Sequence, residues 1–252
     1  MVSVRPPDSI ARRLQMSNAA LLIGLLVALL GAPARADEWV RPEPTSFHSR
    51  GFGYVAEIFP PHSRQNSGDK PLCYFYELGY PGSDWRIDAR LKWTAPLVNE
   101  RMPYQALISQ AGDLITLNEH GSVGYRNAIV IYDKLGRATK AYKLDDLLPA
   151  DEISLNENTN KIPISMSSRW WNRDAKYYFY REPSRFYVVL PWGTALELVV
   201  KDGTFRYGAV GNFPELARAR SNPDANEELE VWQTSLRFSS ITDVLKPPVG
   251  SR

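Results

Sequence analysis

The sequence predicts a mainly β protein built from three antiparallel up-and-down meanders, with few short helices. Three observations carry that prediction. Tight corners recur between short runs rich in β-branched and aromatic residues, the pattern of successive hairpins. Within "TALELVV", Leu196, Leu198 and Val200 alternate with Glu197 and Lys201, the period-2 signature of one buried and one wetter face. The composition, 44% apolar and 12% aromatic, supports a packed core. Cys73 is the single cysteine, so no intrachain disulfide contributes and stability must come from packing.

Residues 1–36 read as a signal peptide. Arg12 and Arg13 give a positive leader, "AALLIGLLVALL" (Ala19 to Leu30) is an apolar core, and Ala34-Arg35-Ala36 supplies the small-x-small cleavage pattern. The core is shorter than the roughly 20 residues a membrane span needs. An uncleaved anchor is the alternative reading. No cysteine follows the core, and the flanks of Arg12-Arg13 fit a twin-arginine signal poorly. These features predict export from a bacterium, to the periplasm or outside, with no stable membrane span after cleavage.

Removing the leader changes the charge. Of 30 basic and 28 acidic side chains, residues 1–36 hold four Arg and one Asp, which leaves 26 and 27, a formal −1. Nucleic-acid binders concentrate Lys and Arg, so no nucleic-acid partner is expected. Residues 37–252 then form a single β-rich domain, with meanders at about 53–95, 103–144 and 175–208 and a C-terminal extension at 209–252.

The first meander is read from "GYVAEIFP", "LCYFYELG" and "WRIDARLKWTA", with Cys73 expected as a small buried hydrophobe. Its long polar loop "PHSRQNSGDK" leaves it one strand short. In the second, "YQALIS" and "DLITLNE" flank the turn Gln110-Ala111-Gly112, and "AIVIYD" and "RATKAYKL" flank Lys134-Leu135-Gly136, with Asp133 opening a type I turn. The loop "HGSVGYRN" joins the two hairpins. In the third, "AKYYFY", "FYVVLP", "TALELVV" and "TFRYG" are separated by "REPSR", Trp192-Gly193 and the hairpin signal Asp202-Gly203. "LDDLLPADEI" suits one or two helical turns with acids near the start, and "FPELARARSN" a short helix.

Meanders spaced at roughly 35 to 45 residues resemble β-propeller blades, and the "IVIYDKLGRATKAY" hairpin is similar to repeats of quinoprotein-type secreted propellers. That likeness implies either an open, partial propeller or meanders packed face to face like a sandwich. The chain also resembles uncharacterised exported bacterial proteins, a likeness that implies no activity.

Patterns for known chemistry are sparse. His48, His62 and His120 form no HxxxH pair and no CxxC occurs, so neither metal nor cofactor is expected. Asn156, Asn158 and Asn160 alternate like calcium-loop ligands, but Lys161 and Ser167 stand where Gly and Glu belong, so a solvated loop is expected. "HGSVG" lacks the nucleophile-elbow spacing. A glycosidase needs two acids about 5 to 10 Å apart. Asp113, Glu119, Asp133, Asp145, Asp146 and Asp174 lie near strand ends, where turn and cap duty explains most of them.

The remaining lead is aromatic. "SRWWNRDAKYYFY" sets Trp170 and Trp171 beside Arg169 and Arg173. On a strand one Trp fills the core and its neighbour is exposed, where with Arg it can stack on a sugar ring or hold an anion. Cross-strand aromatic pairing is the plainer alternative. The expected function is therefore a non-catalytic exported binding or interaction domain for a small-molecule, glycan or protein ligand, with candidate ligand-binding residues Glu119, His120, Trp170, Trp171 and Arg173. The alternatives are a polysaccharide-active hydrolase using loop carboxylates and a structural envelope protein.

Overall fold

The computed structural model describes residues 41–51, 53–79, 89–153, 162, 164, 167–181, 184–221 and 229–232. The chain divides into two compact units, Met1–Glu38 and Trp39–Arg252; all described residues belong to the second. The Asn156–Lys161 segment and the residues after Trp232 lie outside the described set.

The fold is mainly β, with every sheet antiparallel; the first two run in up-and-down order, as does the third except that its last strand returns to the edge beside its first. The first sheet runs β1 (Thr45–His48), β2 (Tyr54–Phe59), β3 (Leu72–Glu77) and β4 (Arg90–Pro96). β1 is the strand the sequence reading lacked. It precedes the expected meander and pairs Thr45 with Ile58 through His48 with Val55, and its four residues are too short for a periodic signal. The second sheet holds β5 (Pro103–Ile108), β6 (Leu114–Glu119), β7 (Ile129–Tyr132) and β8 (Ala138–Tyr142). The third orders β12 (Phe205–Ala209), β11 (Thr194–Val199), β10 (Arg185–Val189), β9 (Lys176–Tyr180) and β13 (Leu229–Trp232). β13, from the segment read as an extension, adds a fifth strand against β9.

The three sheets stack through their faces. Alternation along β6 and β7 shows how. Ile115, Leu117, Ile129 and Ile131 pack with Phe179, Phe186, Leu196 and Leu198 of the third sheet. Leu114, Val130 and Tyr132 pack with Ala56, Ile58, Phe75 and Trp93 of the first. The middle sheet is thus greasy on both faces, which is why β6 and β7 are buried at every position. Each fully buried aliphatic or aromatic side chain contributes about 1.5–3 kcal/mol, so these two interfaces are the main source of stability. The three sheets among the described residues are fewer than the roughly four or more blades of a closed propeller.

Short helices fill the seams. α1 (Leu144–Leu147) and α2 (Ala150–Ile153) follow β8 and bury Leu144, Leu147 and Ile153 between the second and third sheets. Asp146 starts α1 by accepting a hydrogen bond from the Lys143 backbone N–H at 3.0 Å. After β12, a 3-10 turn (Val210–Asn212) and α3 (Pro214–Ser221) place Val210, Phe213 and Leu216 against Tyr187 and Ala195 on the outer face of the third sheet. This cover corrects the expectation of a wetter face on β11. Glu197 is itself buried there, because its carboxylate accepts from the Arg206 guanidinium at 2.8 Å twice and from the Tyr187 hydroxyl at 2.8 Å.

The corners fall where the sequence places them. Ser109 opens the β5–β6 turn, its hydroxyl accepting from the Ala111 and Asp113 backbone N–H groups. Asp133 caps the β7–β8 turn by accepting from Leu135 and Arg137, each at 2.9 Å. Asp202 serves the β11–β12 turn through Thr204. Cys73 is fully buried in β3, and burial, with Glu57 adding to it, pushes its thiol pKa well up. Such a thiol is inert packing.

Candidate ligand clefts at the start of β5

Asn118, next to the end of β6, organises the loop end of the middle sheet. Its φ is +57°, a left-handed conformation that Asn tolerates better than most side chains. That turn aims its amide across to the 168–174 segment. The Asn118 Oδ1 accepts from the Trp171 indole N–H at 2.7 Å and from the Gly124 backbone N–H at 3.1 Å. Its Nδ2 donates to the Asn172 Oδ1 at 3.0 Å, and the Asn172 Nδ2 donates to the Tyr177 hydroxyl at 2.9 Å. Burial raises the Tyr177 pKa, so that hydroxyl stays neutral.

The long loop and the tryptophan segment are locked to one another. The Arg169 backbone N–H donates to the Val123 carbonyl at 2.8 Å. Gly124 sits at φ +73°, and a Cβ there would come within 2.7 Å of the Arg169 carbonyl oxygen, so only glycine permits this approach. The Arg169 guanidinium lies 4.4 Å over the Tyr125 ring and pairs with Asp145 at 2.7 Å.

Trp170 and Trp171 lie in an irregular segment and a turn rather than on a strand, yet they divide as a core residue and a surface residue. Trp171 is 0% exposed and belongs to the core between the second and third sheets. Trp170 is half-buried and meets Tyr104 edge to face, with centroids 5.9 Å apart. Tyr104, Gln105, Trp170, Asn172 and Arg173 line an open cleft of about 390 Å³. The Arg173 side chain is 69% exposed and only loosely approached by Asp174, at 3.9 Å.

His120 opens on a different cleft, of about 380 Å³, with Arg41, His62, Arg101, Met102 and the proline pair Pro60-Pro61. Met102 and Tyr104 are two residues apart at the start of β5, so the clefts flank one stretch of chain. The structure therefore separates the sequence candidates: Trp170 and Arg173 in one cleft, His120 in the other, Trp171 beneath the first.

Glu119 is a strut. Its Oε1 accepts from the Glu100 backbone N–H at 3.0 Å and from the Asn127 Nδ2 at 2.5 Å, and the side chain is fully buried. Burial raises its pKa, against the pull of the Asn127 amide, the Arg101 charge and the Asn99 amide. Asn99 in turn accepts from Thr116 at 3.1 Å and the Tyr132 hydroxyl at 2.9 Å. This network fastens the connector between the first two sheets to the middle sheet.

The other acids have comparable duties. Asp113 accepts from Ser109 at 2.9 Å and from Ser184 at 2.8 Å, linking two hairpins. Among the described residues, neither cleft is lined by Asp or Glu. Among the described residues, no group of three or more His, Cys, Asp or Glu side chains is placed to hold a metal ion, and no helix is long and apolar enough to cross a membrane.

No family model, curated protein or solved structure matches this chain. The clefts must therefore be read from their own chemistry.

Sequence reasoning missed Asn118, Asn172, Tyr104 and Gln105, and on the other side Arg41, His62 and Arg101. Asn118 and Trp171 are 53 residues apart in the chain, and no spacing rule joins such residues. The available signal was an Asn beside the Glu119-His120 corner, a residue type that tolerates positive φ.

Proposed function

We propose that this chain is a non-catalytic exported binding domain whose Trp170 cleft takes a ring-shaped ligand bearing a negative charge. The carrying observation is how Trp170 and Arg173 are held. Their loop is fixed from beneath by Trp171 and Asn172 through Asn118, while its upper surface lines the cleft. A loop ordered before its ligand arrives avoids the entropy of ordering on binding. The chemistry of the lining supplies the ligand class. Trp170 and Tyr104 offer aromatic surface to the apolar face of a sugar ring. Arg173 offers a planar fork to a carboxylate, and the Gln105 and Asn172 amides donate to and accept from hydroxyls. The volume is in the range of small-ligand pockets. The leader at residues 1–36 supports a periplasmic or secreted location.

Titration calorimetry with D-glucuronate and D-glucose tests this reading. Saturable glucuronate binding, roughly tenfold weaker binding of glucose, and loss of both in a folded Trp170→Ala variant are expected. Glucuronate heat that is absent, or unchanged by Trp170→Ala, removes the proposal.

A further inference from the structure

We propose that the second cleft, lined by His120, is a separate binding site for a phosphomonoester. Two of the three histidines in the chain, His62 and His120, meet here with Arg41 and Arg101. Four donor groups from four separate segments converge on one space of about 380 Å³, and among the described residues its lining contains no carboxylate. Two acids stand near these donors: Asp69 lies 3.6 Å from His62 with both side chains largely exposed, and the buried Glu119 feels the Arg101 charge while its Oε1 accepts from Glu100 and Asn127. Arg41 makes no ion pair among the described residues.

The cleft is built in advance. The loop after β2 is pinned by Asn66, a buried residue, whose Nδ2 donates to the carbonyls of Pro60 at 3.2 Å and Lys70 at 2.7 Å. The Asn66 Oδ1 accepts from the Gly68 backbone N–H at 3.0 Å, and the His62 N–H donates to the Gly68 carbonyl at 3.2 Å. This frame holds His62 at φ +54°. Backbone strain of this kind persists where the surroundings over-determine it and clusters at ligand sites. Across the cleft, the His120 backbone N–H donates to the Met102 carbonyl at 2.8 Å, and Arg101 reaches the Gly121 carbonyl at 3.4 Å.

The donor set selects among ligands. Two permanent guanidinium charges repel a metal cation, so the imidazoles serve as hydrogen-bond donors or acceptors. A planar carboxylate occupies one arginine fork, whereas a tetrahedral phosphate dianion presents three oxygens to donors arriving from several directions. Pro42, Pro60, Pro61 and Met102 provide an apolar wall for the organic body of the ester. The two clefts share no lining residue among the described ones, so this site stands or falls apart from the Trp170 cleft.

Phenyl phosphate is the probe, with inorganic phosphate and benzoate as controls. Imidazole resonances of the whole protein report directly, because there are three histidines. Phenyl phosphate is expected to shift the His62 and His120 signals saturably and to leave His48 still. Inorganic phosphate should bind more weakly, and benzoate about tenfold or more weaker. Read by the His62 and His120 shifts alone, Arg101→Gln should lower phenyl phosphate affinity about tenfold, Arg41→Gln should weaken it as well, and Trp170→Ala should leave it unchanged. The proposal is overturned if no shift saturates, if benzoate matches phenyl phosphate, or if both arginine variants, shown folded by their melts, bind like the parent.

Discussion

Two buried polar clusters in this molecule use similar chemistry for different ends. On the outer face of the third sheet, Glu197 gathers Arg206, Tyr187 and Arg185, the last at 3.6 Å. Its partners are already neighbours: the ladder pairs Tyr187 with Glu197 and Glu197 with Arg206. Removing the cluster leaves the strands where their backbones hold them. Around Asn118, by contrast, the bonded groups come from β6, the long loop and the tryptophan segment, with side-chain bonds spanning 53 and 54 residues. There the side chains themselves set position. The first cluster reinforces a fold; the second aims a surface. A buried polar group points to function when it joins segments the backbone does not, and when the joined segment ends in an open cleft.

The largest expected effect is at Trp171. Trp171→Ala removes a fully buried side chain and leaves the Asn118 oxygen short of a donor, so a loss of about 3–5 kcal/mol is expected, read by chemical denaturation. Glucuronate binding should go with it, because Trp170 loses its footing. Next comes Glu197→Ala, with a loss of about 2–3 kcal/mol and glucuronate affinity unchanged. If binding falls in step with stability there, the contrast between the clusters is wrong.

Glu197 also carries a pH signature. Burial pushes its pKa up, but the Arg206 fork and the Tyr187 hydroxyl outweigh burial and leave it below the ordinary glutamate range. A lowered folded pKa contributes stability that is present above the unfolded value and is lost as pH falls through the folded one. Denaturation at a series of acidic pH values should therefore show a shallower acid loss in Glu197→Gln than in the parent. Glu119 has the opposite sign. Its raised pKa means that it contributes least stability above the folded value and favours folding as it protonates.

Asn118→Ala is smaller in stability, about 1–3 kcal/mol for the unsatisfied indole and amide groups, and larger in function. Glucuronate affinity is expected to fall while circular dichroism stays that of the parent. The smallest stability effect belongs to Arg173→Ala. An exposed side chain should cost within about 0.5 kcal/mol, yet weaken glucuronate about tenfold while sparing glucose.

The sequence made the framework legible because hairpins are local. Asp133, Asp202 and Gly112 each mark a corner through bonds or dihedral angles within a few residues, and the strands between them follow. β1 and β13 were not legible, being four residues each and defined by partners elsewhere. The site was legible in part. Trp170 with Arg173 stood out by composition, and Trp170 and Trp171 do divide between surface and core, although through a turn and not through the strand alternation expected of them. The separation of His120 from that pair did not, nor did the convergence of Arg41, His62 and Arg101, because these depend on how sheets stack and on a loop folded around Asn66. The buried Glu197 was misread as wet because the pattern of β11 carries no trace of the helix that covers it.

The central claim is that Asn118 locks the tryptophan segment in place before any ligand binds. Hydrogen exchange of the Trp171 indole N–H tests it most directly. Exchange only through global unfolding in the parent, and exchange faster by orders of magnitude in a folded Asn118→Ala variant, is the predicted result. Rapid exchange of that indole in the native parent protein would contradict the account.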